Sequence, residues 1–163
     1  MEKLDKGLID FGVLIEPTDI KKYGYIKLPC FDTWGLLMRK DSPLAKKDYI
    51  EPNELMNIPL LCSRQALANN EFSTWFGNNT EKLNVVATYN LIYNASLYVE
   101  AGFGYALTLD KLINLTADSN LCFKPIIPNL TTNLVIVWKK YQVFSKASQE
   151  FLNELQKEIS IKA

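Results

Sequence analysis

The chain has 163 residues, enough for one domain or two small lobes, and its 48% hydrophobic content sets it apart from disordered chains. Eighteen basic residues balance eighteen acidic ones, so this chain offers no basic excess for a nucleic-acid surface. It contains no histidine, which excludes Ser-His-Asp and Cys-His catalysis within it and every His-containing metal site.

No apolar run approaches the roughly 18 residues of a membrane span, and the charged start "MEKLDKGLID" has no apolar signal core. A cytoplasmic protein without a membrane partner is expected. Cys30, Cys62 and Cys122 are widely spaced and odd in number; they read as reduced core residues, not as a disulfide frame or a zinc site. No metal or cofactor is expected. An AT-rich genome explains the lysine bias, yet Arg39 and Arg64 are the only arginines, which makes each worth locating.

In chain order, "LIDFGVLI" (residues 8–15) follows Gly7 and reads as a buried strand entered from a short helix end. Pro17 breaks it. "YGYIKLP" and "TWGLLMRKD" read as two further strands, the second closed by a turn before Pro43. Pro52 opens one or two helical turns, and "IPLLCS" (residues 58–63) is another buried strand. "RQALANNEFSTWFGNN" spaces Ala66, Leu67, Phe72, Trp75 and Phe76 at helical intervals, with Gly77 as a left-handed stop. "LNVVAT" is a strand. "YNLIYNASLYVEA" puts Leu91, Ile92, Ala95, Leu97, Val99 and Ala101 in a helix. "FGYALTL" is a strand, and "DKLINLTAD" a short helix capped by Asp110. "LCFKPIIP" and "NLVIVWKKY" are strands. From Ser145 to about Ile159 an amphipathic helix gathers Ala147, Phe151, Leu152, Leu155 and Ile159 on one face. Strands alternating with helices predict an α/β fold with parallel strands.

The glycine pair in "LYVEAGFGYALTL" is not a phosphate loop. A dinucleotide fingerprint needs strand, Gly-x-Gly-x-x-Gly, helix; here the order is reversed and the third position is Leu107. Gly102 reads as the left-handed residue after a helix, and Gly104 as a close backbone approach. In "LLCSRQ" a buried strand meets a helix start. Two readings stand: Ser63 and the free N–H groups hold an anion with Arg64, or Ser63 caps a helix and Arg64 is a surface residue. At "TYNLIYN", Thr88 and Asn90 are at a similar junction, as helix caps or as ligand contacts. With "IEPTD" after the first strand, these make three polar corners of the kind that line small-molecule clefts.

The ordered segments resemble the effector-binding domain of LysR-type transcriptional regulators. "LDKGLIDFGVLI" matches their helix, Gly, x, Leu or Ile, Asp, strand segment. "GLLMRKDSPLAKKDYIEPNEL" matches a strand followed by "His-Pro-Leu-Ala", with Ser42 in place of the histidine. "LYVEAGFGYALTL" matches their Val-x-x-Gly-x-Gly segment, with Leu109 where proline is frequent, and "FSKASQEFLNEL" matches their closing helix.

The resemblance implies a two-lobed type 2 periplasmic-binding-protein-like fold with an interlobe ligand cleft. Lobe I comprises residues 1–42 and 125–163, and lobe II residues 43–124. The winged helix-turn-helix has no counterpart here, nor has the first strand and helix of lobe I, so lobe I is expected to be incomplete. The implied function is binding of a small anionic or zwitterionic effector, without catalysis, to control DNA binding through the helix-turn-helix of a regulator that forms homo-oligomers. Ser63, Arg64 and Gln65 are the expected anion corner of lobe II, with Thr88 and Asn90. Ile15 and Glu16 line lobe I, where the Glu16 carboxylate disfavours an anion and favours an amine. The alternatives are a solute-binding protein of the same fold, a ligand-independent oligomerisation module and, least supported without histidine, an enzyme.

Overall fold

The computed structural model describes residues 1–162. In chain order it forms α1 (Glu2–Asp5), β1 (Gly12–Ile15), β2 (Tyr23–Arg39), β3 (Leu60–Ser63), α2 (Arg64–Ala68) and α3 (Ser73–Phe76). There follow β4 (Val85–Tyr89), α4 (Ile92–Glu100), β5 (Tyr105–Leu109), β6 (Leu121–Pro125), β7 (Thr131–Lys139) and α5 (Lys146–Lys162). Short 3-10 helices stand at Pro43–Lys46, Pro52–Asn57 and Gly77–Lys82. Contacts divide the chain into unit 1, built from Met1–Phe31 and the segment from Thr132 onward, and unit 2, Asp32–Thr131.

In unit 1, β7 lies between β1 and the first part of β2. β1 and β7 run antiparallel, with Ile15 opposite Leu134. Leu4, Tyr23, Val135 and Val137 form the buried cluster, packed against Leu14 and Ile20. Tyr23 reaches this core because its hydroxyl has a partner: it donates to Asp5 Oδ1 at 2.6 Å, while Lys22 Nζ donates to Asp5 Oδ2 at 3.0 Å. The Tyr23 hydroxyl, then Lys22, hold the Asp5 carboxyl below its ordinary range. Phe11 stacks on Phe144 with centroids 5.1 Å apart and meets Phe151 at 5.1 Å and Trp138 at 6.4 Å. These ring contacts tie β1, β7 and α5 together.

The expected buried strand over 8–15 is shortened to its last four residues, and Leu8 and Val13 are 69% and 61% exposed. The two strands expected around Pro29 are one: β2 runs unbroken for 17 residues. On α5, Leu152 is buried while Ala147 and Phe151 stay exposed, so the packed stripe is narrower than the apolar pattern. Cys30 is exposed, against the expectation that all three cysteines are core.

Unit 2 is organised around the second part of β2. Its residues 35–37 pair antiparallel with β5 on one edge and β6 on the other, and Leu36, Leu37 and Met38 are fully enclosed. Beyond β5 the sheet continues through β3 to β4, and here the pairing is parallel, as expected of an α/β unit. The parallel set is thus β5, β3 and β4, while β1 with β7, and β2 with β5 and β6, pair antiparallel. α4 covers this sheet: Ile92, Ala95 and Val99 pack on Leu37, Leu61, Ala106 and Leu121. Ser96, not Leu97, completes the buried stripe, and Leu91 and Leu97 face outward.

Two helical expectations fail for identifiable reasons. "RQALANNEFSTWFG" forms two short helices because Asn70 takes a left-handed conformation (φ 53°). That turn inserts Phe72 edge-on against Trp34, with centroids 4.9 Å apart. "DKLINLTAD" forms no helix among the described residues. Asp110 is engaged elsewhere: its carboxylate accepts the Thr33 N–H at 2.8 Å and its own N–H donates to the Thr33 carbonyl at 2.9 Å.

The glycine pair behaves as expected. Gly102 (φ 84°) follows α4; its N–H donates to Val99 O and the Phe103 N–H donates to Tyr98 O. This is a Schellman closure, and the Tyr98–Phe103 ring contact at 6.0 Å completes it. Gly104 (φ 154°) lies where a Cβ would stand 2.6 Å from the Pro59 carbonyl oxygen, and the next residue, Tyr105, bonds that carbonyl through its N–H.

Two predictions follow from these contacts. Open space surrounds Gly102, so Gly102→Ala carries only the left-handed backbone penalty, about 1 kcal/mol. Gly104→Ala adds a clash with backbone and costs about 3 kcal/mol; chemical denaturation reads both, and equal losses contradict the close approach. Asp5 has a lowered native pKa, so its stabilisation is present above the ordinary carboxylate value, about 4, and fades as pH falls through the native one. The melting gap between wild type and Asp5→Asn therefore closes on acidification; a gap constant with pH contradicts the pairing.

Candidate functional site

Parallel strands present successive peptide ends on one side of a sheet, and in open α/β sheets ligands collect beyond the carboxyl ends. In unit 2, Cys62 of β3 stands opposite Thr88 of β4 and Leu107 of β5. The residues that follow, Ser63–Arg64 and Tyr89–Asn90, therefore emerge side by side.

Ser63 ends β3 and caps α2, accepting the Ala66 N–H at 3.4 Å. Its hydroxyl has the structural role that one sequence reading gave it. Arg64 and Gln65, the first residues of α2, are exposed. Thr88 and Asn90 do not cap α4: the N-cap position is Leu91, with no side-chain cap bond. That leaves their polar groups free of capping duty. Arg64, Thr88 and Asn90 line one open concavity of about 400 Å³, whereas Ser63 and Gln65 are not on its wall. Its apolar lining includes Leu61, Ala87 and Ala95. Tyr89 also lines it, and its hydroxyl donates to the Leu107 carbonyl at 2.8 Å. Burial pushes that phenol up to about 12, so it stays neutral.

Ile15 and Glu16 belong to unit 1. Ile15 ends β1 against Leu134. The Glu16 N–H donates to Asn133 O at 2.9 Å, and its carbonyl accepts from the Thr132 hydroxyl. The Glu16 carboxylate lies 3.2 Å from Lys27 Nζ, so its charge is offset within the unit.

The two arginines have opposite circumstances. Arg39 is committed: Nε and Nη2 donate to the two oxygens of Asp41 at 2.9 and 2.5 Å, and Nη1 donates to the Glu100 carbonyl at the end of α4. It borders a second concavity of about 330 Å³ with Asp41, Ser42 and Tyr105, next to the amino ends of β3 and β5. The Arg64 side chain forms no hydrogen bond or ion pair among the described residues. Cys62 is fully buried, and burial pushes its thiol up to about 12; a thiol in that state is a poor nucleophile. Asn94 and Tyr98, one turn apart on α4, also line the Arg64 concavity. Sequence reading missed them, although a four-residue spacing from Asn90 puts Asn94 and Tyr98 on one helix flank.

The contrast makes a stability prediction. Arg39→Ala lowers the melting temperature, because it frees the Asp41 carboxylate and the end of α4. Arg64→Ala changes stability by no more than about 0.5 kcal/mol. Thermal melts of the two variants test this, and a large loss at Arg64 contradicts its uncommitted state.

The description of the LysR substrate binding domain matches residues 1–160. A Shigella flexneri protein, the uncharacterized HTH-type transcriptional regulator YfeR, is 27% identical over 155 residues. That match covers 91% of this chain and 48% of the relative, so the chain spans about half of its length. Among solved structures, a putative LysR family regulator from Pseudomonas aeruginosa superposes with a TM-score of 0.77 at 16% identity, over 98% of this chain and 57% of that one. The CcmR regulatory domain of Synechocystis PCC6803, in complex with 2-PG, gives 0.76 at 16% identity over 97% and 77%. The reduced OxyR regulatory domain from Pseudomonas gives 0.74 at 16% identity over 98% and 76%. At these identities the superpositions establish the fold, which is that of LysR regulatory domains. With residues 1–160 matched by the family pattern, the chain belongs to the LysR substrate-binding domain family.

Proposed function

We propose that this chain binds a small anionic or zwitterionic metabolite as the effector domain of a LysR-type transcriptional regulator. The observation that carries the reading is Arg64: an uncommitted guanidinium beside Thr88 and Asn90, at the carboxyl ends of two parallel strands, on the wall of a concavity. A guanidinium with free donors recognises a carboxylate or phosphate with geometry as well as charge. Family membership and the regulator relative support the regulatory role, and the CcmR regulatory domain, in complex with 2-PG, shares the fold.

In this proposal lobe II is built on residues 43–124 and lobe I on the flanking segments 1–42 and 125–163, although residues 32–42 and 125–131 of those segments pack within unit 2. Ser63 and Gln65 would frame Arg64, and Ile15 and Glu16 would be the ligand residues of lobe I. The whole regulator would contact DNA through a winged helix-turn-helix and act as a homo-oligomer. The effector would work by differential affinity for two states of that assembly.

Thermal-shift assays against a panel of carboxylates, phosphates and amino acids test the proposal on wild type and Arg64→Ala. A ligand at a hundred times its Kd adds about 2.7 kcal/mol. Loss of the arginine should remove about half of that or more, since a tenfold weakening is about 1.4 kcal/mol. An anion that stabilises both proteins equally contradicts the role of Arg64.

A further inference from the structure

The concavity beside Arg64 does not stop at the strand ends; it runs along the flank of α4. Leu61, Ala87 and Ala95 give it an apolar lining, while Asn94 and Tyr98 stand on the helix side. Its opening depends on small residues: Ala95 is the buried helix residue facing the sheet, and Ala87 is an exposed residue of the terminal strand β4. Among the lining residues Arg64 alone is charged, so the local field favours a single negative charge at one end. Away from Arg64 the wall offers neutral donors and acceptors, then an aromatic ring. That ring is positioned by the helix stop, because Tyr98 is held edge-on by Phe103 within the Schellman closure at Gly102.

We infer that the ligand is a monoanion with an apolar, ring-sized body, its acid group on Arg64 and its body laid between β4 and α4 against Ala87 and Tyr98. This rests on the reading of the Arg64 concavity as the ligand site, and adds Asn94, Tyr98 and Ala87 as residues that set specificity. Asn94 supplies an amide to a polar substituent on the body, and Ala87 sets the width. The pattern disfavours dianions without an apolar part, because no second cation stands on the wall.

NMR titration of the 163-residue chain tests the inference with three probes: 3-phenylpropanoate, its neutral counterpart 3-phenylpropanol, and inorganic phosphate. The amides of residues 87–98 are followed in wild type, Arg64→Ala, Tyr98→Ser and Ala87→Leu. Ala87→Leu adds bulk at an exposed strand position, and its melt and amide dispersion verify the fold. The expected result is saturable shifts with the acid, at least about tenfold weaker with the alcohol and in Arg64→Ala, weaker in Tyr98→Ser, and abolished in Ala87→Leu.

Equal binding of acid and alcohol, phosphate shifts of the same size, undiminished binding in Ala87→Leu, or silence from all three probes overturns the inference. So does concentration-dependent self-association that Ala87→Leu removes while the probes stay silent, which assigns the face to protein contact. A panel metabolite that needs Arg64 yet binds Ala87→Leu normally leaves the proposed function standing and overturns this extension alone. A panel with no Arg64-dependent ligand, together with silent probes, overturns both.

Discussion

Cys62 in β3 faces Thr88 on one side and Leu107 on the other, and this parallel register governs what unit 2 can offer a ligand. A one-residue slip would turn Ser63 and Tyr89 to the other face of the sheet. The register is pinned at its amino end, where Gly104 brings β5 against the Pro59 carbonyl and Tyr105 bonds it. It is pinned at its carboxyl end by the Tyr89 hydroxyl on the Leu107 carbonyl. With both ends fixed, Arg64 and Asn90 emerge together without any direct bond between them.

The polar groups of unit 2 then divide by whether their bonding is already complete. Arg39, Asp41 and Ser42 satisfy one another or nearby backbone, as do Asp110 and Thr33. Such closed networks hold elements in place. Arg64, Thr88 and Asn90 are different: they are exposed and released from capping, and they border a wall with apolar parts. Uncommitted donors beside apolar surface are the physical signature of recognition, because a ligand can desolvate them and replace the water it removes.

Much of this was legible in the sequence because it is written in local chemistry. Gly102 and Gly104 fall at a helix stop and a close approach, requirements a few neighbouring residues impose. The parallel α/β character of β3, β4 and β5 follows from apolar runs separated by a helix, and the ordered segments disclosed the family. What escaped depends on distant partners. Asp110 looks like a helix cap until Thr33, far away in sequence, is found to claim its carboxylate and amide. The helix expected over 64–76 is broken at Asn70, whose left-handed turn brings Phe72 edge-on to Trp34, a residue far away in sequence. Leu8 and Val13 read as buried by composition, yet apolar identity alone does not fix which side of a strand is covered. For the site, the junction residues were visible, but choosing between cap and ligand contact for Thr88 and Asn90 required the helix start itself.

The proposed function assigns small-anion binding to the Arg64 concavity of unit 2. A crystal of the chain soaked with 3-(4-bromophenyl)propanoate and measured at the bromine edge locates a bound molecule independently of its density. The account predicts an anomalous peak between β4 and α4, near Ala87 and Tyr98, with the carboxylate on Arg64, and its loss in Arg64→Ala. A peak elsewhere, or one in the same position in Arg64→Ala, contradicts it.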